Sequence, residues 1–161
     1  MIQVVLGVDP GSRHTGFGVI QGEEGRINHL AHGQIAAKSS APLEFRLRQI
    51  YDGLAELLYQ HRPHCLALEE IFLAHNVRTA FILGQVRGIV LLAAAQAEVP
   101  VHLYPPLVVK KAVVGYGQAS KVQVKMMVEN LLGLNVAGHH AADALAVGVC
   151  HYFHSRLGAS L

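Results

Sequence analysis

Gln3-Val4-Val5-Leu6-Gly7-Val8-Asp9-Pro10-Gly11 is the stretch that decides how this chain folds. Residues 3–9 are apolar and β-branched and show no polar alternation from Val4 to Val8. That is the pattern of a strand buried on both faces. Asp-Pro-Gly then ends it in a turn. A carboxylate rarely closes a buried run unless it is paired or coordinates a metal. A turn-capping Asp before Pro-Gly is the ordinary alternative, and Asp9 by itself does not separate the two.

Further strand signals lie at 15–21 and 26–36, joined by the turn Gly22-Glu23-Glu24-Gly25. So short a connection pairs strands antiparallel. Leu43, Leu47, Ile50, Tyr51, Leu54, Leu57 and Leu58 recur at helical spacing over 43–60, with Ser39, Ser40 and Pro42 as start signals. Residues 64–69 read as a second buried strand. Residues 76–97 read as a helix so apolar in its second half that burial is expected. A short strand from Pro100 to Tyr104 precedes helices at 106–114, 120–132 and 140–156, the second opened by the capping-box pattern Ser120-x-x-Gln123. This order predicts one α/β domain over residues 1–161. Its sheet is mixed and five-stranded: an antiparallel meander, then parallel strands added by βαβ crossovers, with helices flanking it.

Of 161 residues, 52% are hydrophobic and 15% charged, the reverse of a disordered chain. Cys65 and Cys150 lie far apart in apolar runs without CxxC spacing, which predicts buried thiols in a reducing, cytoplasmic setting. The N-terminus has no basic region of a signal peptide. The longest apolar run, Ile89 to Ala95, falls short of the ~20 residues of a membrane span, so a soluble protein is expected. Gly84 and Gly88, one helical turn apart, could allow close helix packing, within the monomer or across a dimer.

Two further acidic features stand out beside Asp9. Glu69 and Glu70 end the second buried strand, and a period of two sends them to opposite faces. At most one can join Asp9, at the carboxyl ends of parallel neighbours, where open α/β sheets bind ligands. His140 and Asp143, three apart at a helix start, share one face. Together these donors suit a hard divalent cation. Two Mg²⁺ ions ~3.5–4 Å apart would activate a water and stabilise the leaving oxygen of a phosphodiester. Zinc fits less well, because the eleven histidines are scattered.

The net charge of +2 hides an uneven distribution. Residues 71–128 carry Arg78, Arg87, Lys110, Lys111, Lys121 and Lys125 against Glu98 alone, while the flanking segments are net acidic. Lys121 in a first helical turn opposes the helix dipole by ~0.3–1 kcal/mol. Lys125, four residues on, adds like-charge repulsion of roughly 0.2–0.5 kcal/mol. A bound polyanion would offset both. Phe72, just past the strand end, is either a core residue or an apolar wedge that unstacks a base step.

These segments together resemble the RuvC family of Holliday-junction resolvases, in the ribonuclease H-like superfamily. The carriers are Leu6–Ile20 (LGVDPGSRHTGFGVI), Leu68-Glu69-Glu70-Ile71-Phe72, Leu83–Gly88 (LGQVRG), Val113–Gly117 (VVGYG) with Lys121, and His140–Ala146 (HAADALA). The resemblance spans nearly the whole chain. It implies that Asp9, Glu69, His140 and Asp143 form the metal-binding catalytic set, with His140 at a position often held by Asp. It selects Glu69 over Glu70. It implies Phe72 as the wedge, and Lys110 and Lys121 as junction-DNA contacts, to which Arg78 and Lys125 of the basic segment are added. It further implies a Mg²⁺-dependent homodimer, with Mn²⁺ able to substitute, that cuts two opposed strands and works with a branch-migration motor. Two other classes compete: a nuclease-inactive junction binder, and an actin-like phosphotransferase suggested by D-x-G-x-x-x-x-G at Asp9 to Gly16.

Overall fold

The computed structural model describes residues 1–70 and 76–158. Three strands, β1 (Gln3–Asp9), β2 (His14–Glu23) and β3 (Arg26–Ala36), form the antiparallel meander. Helix α1 (Leu43–His61) leads to β4 (Cys65–Glu69), and α2 (Val77–Gln96) leads to β5 (Val101–Tyr104). Helices α3 (Pro106–Val114), α4 (Lys121–Leu132) and α5 (His139–Gly158) follow. The sheet order is β3-β2-β1-β4-β5, with β1, β4 and β5 parallel. This is the mixed five-stranded sheet that the segment order predicts.

Side-chain parity sorts β1 onto two cores. Leu6 and Val8 join Leu66, Leu68, Ile50, Leu54, Val86 and Val90 beneath α1 and α2. Val5 faces the other way, with Cys65, Ala67, Leu145 and Val149, beneath α3, α4 and α5. Both cysteines are buried free thiols, as expected. The helix starts vary in chemistry. Ser120 and Gln123 form the full capping box of α4. Asn76 caps α2 by accepting from Arg78 and Thr79 N–H. At α1 the cap position is Pro42 with no side-chain bond, so Ser39 and Ser40 do not cap it.

Helix α2 departs from the expectation of burial. Only Val86, Val90, Ala93 and Ala94 are buried, because α1 and the sheet cover one side of it. Val77 (70% exposed), Phe81 (71%) and Leu92 (48%) lie on the uncovered side with Gly84 and Gly88, where an added Cβ would meet no atom within 4 Å. By length and composition α2 could cross a membrane, unlike the shorter run Ile89–Ala95. Its buried stripe nevertheless belongs to the α1-side core.

Helix α5 lies directly on β1 and β2. A Cβ on Gly7 would collide with the Ala144 carbonyl oxygen, and one on Gly16 with that of His140. The far half of α5 is fixed by polar contacts. Gln3 Nε2 donates to His151 Nε2 (3.2 Å), so the ring proton sits on Nδ1 and is donated to Tyr104 Oη (2.8 Å). Burial, then the neighbouring His102 and His154, push His151 down to about 4, which keeps it neutral.

Gly7→Ala should therefore lift α5 from the sheet. Overpacking of this kind costs about 1–3 kcal/mol. At ~2–4 °C per kcal/mol, thermal unfolding should show a midpoint several degrees lower. An unchanged midpoint would mean that the helix has room to yield.

Candidate active site

The register of the parallel strands builds the site. Val8 pairs with Leu68, so Asp9 and Glu69 follow as the next positions of β1 and β4. Asp9 shares the parity of Val5 and Gly7, and Glu69 that of Cys65 and Ala67, so both face α5. Glu70 takes the opposite parity and does not line the cleft, and its N–H donates to the Tyr104 carbonyl instead. The first turn of α5 lies against Gly16, the partner of Asp9 in β2, and carries His140 and Asp143 to the same place.

A cleft of about 350 Å³ results, lined by Asp9, Glu69, His139, His140 and Asp143, with Lys110 of α3 and Lys121 of α4. His140 Nδ1 lies 3.0 Å from Asp9 Oδ2. With Asp9 ionised, Oδ2 can only accept, so Nδ1 carries a proton, and in the neutral ring Nε2 then keeps its lone pair. Lys121 Nζ lies 3.4 Å from Asp143 Oδ2, with Lys121 71% exposed and Asp143 20%. Lys121 therefore offsets an unfavourable first-turn position by pairing with a carboxylate across the cleft. The ring of His14, from the start of β2, lies 6.0 Å from that of His140.

The electrostatics are short of positive charge. Burial, then repulsion by Asp9 and Asp143, push Glu69 up to about 7, although Lys121 and Lys110 pull it down. Burial also raises Asp9, against the bond from His140. Carboxylates crowded in this way favour either a proton or a cation. Their oxygens are the donors that a hard divalent ion takes, so the residues present fit such a metal. Among the described residues, no three His, Cys, Asp or Glu side chains stand in an arrangement that could hold a metal ion as they are. Asp9 and Asp143 are engaged by His140 and Lys121 instead.

The structure thus unites Asp9, Glu69, His140, Asp143, Lys110 and Lys121. Lys111, Lys125 and Arg78 do not line the cleft. Arg78 lies in the first turn of α2, and Lys125 one turn beyond Lys121. Phe72 lies outside the described residues. Sequence reasoning gave no role to His139, Pro106, Val109 or Val124, which also line the cleft. The available signal for the last two was their placement beside the basic residues, Val109 next to Lys110 and Val124 one helical turn after Lys121.

A family model described as Crossover junction endodeoxyribonuclease RuvC matches residues 5–151. A protein of that name from Geobacter sp. (strain M21) is 44% identical over 159 residues, covering 98% of this chain and 97% of its own. Another, from Syntrophomonas wolfei, is 45% identical and covers 98% and 92%. The structure of Thermus thermophilus RuvC in complex with Holliday junction substrate superposes with a TM-score of 0.91 at 38% identity, covering 97% of this chain and 96% of that one. By the family match over most of its length and by its likeness to these relatives, the chain belongs to the RuvC family of crossover junction endodeoxyribonucleases.

Proposed function

We propose that this chain, as a RuvC-like nuclease domain over residues 1–161, resolves four-way DNA junctions by metal-dependent hydrolysis of phosphodiester bonds in two opposed strands. Each cut leaves a 5′-phosphate and a 3′-hydroxyl. The observation that carries the reading is the convergence of Asp9, Glu69 and Asp143 with His140 in one cleft edged by Lys110 and Lys121. Asp9, Glu69 and Asp143 would hold the cation, with Mg²⁺ the expected ion and two per site the expected number. When bound, the metal supplies an activated water and charge stabilisation for the leaving oxygen.

The chain's own residues do the rest. Asp9 fixes the His140 ring through Nδ1, which leaves Nε2 outside that bond on a residue lining the cleft. That atom can ligate, or take the proton of the attacking water. Lys110 and Lys121 neutralise phosphate at the rim. Lys125 and Arg78 lie outside the cleft, where they can meet flanking phosphates of a large substrate, and Phe72 keeps its role as the wedge. A branch-migration motor partner and a cytoplasmic setting follow from the same resemblance.

Incubating the protein and metal with a synthetic four-way junction tests the class. Wild type should make paired nicks. Asp9→Asn should bind without nicking, with a rate loss of at least a hundredfold, in line with the loss of a charge-stabilising group. Tight junction binding by wild type with no cleavage in Mg²⁺ or Mn²⁺ would replace the nuclease with a binding protein.

His140 makes the set three carboxylates and one imidazole. A nitrogen ligand suits Mn²⁺ better than Mg²⁺. Mn²⁺ should therefore support cleavage at least as well as Mg²⁺, and His140→Asp should shift the preference toward Mg²⁺, roughly tenfold in the ratio of rates, or about 1.4 kcal/mol. A ratio unmoved by that substitution would count against ligation by His140.

The open stripe of α2 supports a homodimer. Val77, Phe81, Gly84, Gly88 and Leu92 recur at steps of three and four on its exposed side, and small residues let two helix backbones approach closely. Phe81→Glu should convert a dimer to monomers in sedimentation velocity. A wild-type monomer at micromolar concentration, or a dimer untouched by Phe81→Glu, would remove α2 from the interface.

A further inference from the structure

The turn that follows Asp9 is strapped from three sides. Thr15 is fully buried, and its Oγ1 donates to the Gly11 carbonyl (2.8 Å) while accepting from the Gly11 N–H (3.3 Å). Ala37 N–H, at the exit of β3, donates to the Arg13 carbonyl (2.9 Å). From the first turn of α1, Arg46 Nη1 reaches the Ser12 carbonyl at 3.5 Å. Arg46 does not line the cleft, and the reaction described above gives it no part.

Arg46 is also an energetic anomaly. Its Nε is buried with no hydrogen-bond partner among the described residues, and it is the one such side-chain atom there. A donor left in that state is unfavourable. A Met of similar length would pack the same stem without it. What the rest of the guanidinium touches is therefore the informative point, and its polar contact is to the turn carrying Asp9.

We infer that Arg46 is a positioning residue for the reaction: by anchoring the Ser12 carbonyl it sets the turn at 10–13, and through it the placement of Asp9 opposite Glu69 and Asp143. At 3.5 Å the contact is at the long end of hydrogen-bond range, so it guides the turn more than it clamps it. Small displacements matter here, since misplacing a reacting group by 1 Å costs about a hundredfold in rate. The inference rests on the nuclease reading, because the anchored turn has a purpose only if Asp9 takes part in the chemistry.

The test compares wild type with Arg46→Met and Arg46→Lys in the full chain. Three quantities are read: single-turnover cleavage at saturating four-way junction, junction affinity in EDTA, and thermal midpoint. Arg46→Met should lower the cleavage rate about tenfold, a fraction of the full misplacement cost. Affinity should stay within about twofold of wild type, and the midpoint should be equal or higher, since the unpartnered donor is gone. Arg46→Lys should recover part of the rate, because an ammonium can still donate to the Ser12 carbonyl. Cleavage by Arg46→Met at the wild-type rate would overturn the inference. So would a rate loss that tracks a fallen midpoint, which marks a packing role, or weakened affinity at an unchanged rate, which marks a phosphate contact. If wild type itself does not nick, both readings fall together. Nicking by wild type with no effect of Arg46→Met removes this one alone.

Discussion

The contact on which the rest depends is the bare backbone seam between α5 and the meander. Gly7 and Gly16 have no side chains, so the helix lies directly on the strands at Ala144 and His140. A side chain there would hold the helix off, and His140 and Asp143 would move with it. The seam therefore serves the site more than the core. It brings the start of α5 close enough for His140 Nδ1 to meet Asp9 at 3.0 Å. The buried His151–Tyr104–Gln3 contacts fix the other half of the same helix, so its axis is set at two places.

The cleft is an instance of function held against stability. Burying Asp9 and Glu69 beside Asp143 raises the proton affinity of the first two, because their charges are desolvated and mutually repelled. Lys121 and Lys110 relieve part of this, and a divalent cation would relieve more. Lys121 lies in the first turn of α4, against the helix dipole, yet close enough to pair with Asp143. Local preference there is overruled by what the cleft needs. Arg46, with its unpartnered Nε, follows the same logic one layer out.

Much of this was legible in the chain itself. The uninterrupted apolar run of β1 marks a buried strand, and its end at Asp9 offers a candidate site that the residue alone does not separate from a turn cap. The capping box of α4 and the split of Glu69 from Glu70 follow from local geometry, because helical and strand periods are properties of the backbone. The burial of α2 was misjudged for a physical reason. Apolar composition says that a face prefers to leave water, but not whether this chain or a second one covers it. The distance between Asp9 and His140, 131 positions apart, was likewise beyond local reasoning.

The sequence by itself determined the order of elements, the strand tips that carry acids, and the concentration of positive charge after residue 71, since each is set by neighbours in the chain. The tertiary structure alone decided which groups meet. It brought Lys110 rather than Lys111 to the cleft, tied His140 through Nδ1 so that Nε2 is left available, set Lys121 against Asp143, and placed Arg46 behind the Asp9 turn. These are long-range contacts fixed by strand register and helix packing, and no period in the sequence encodes them.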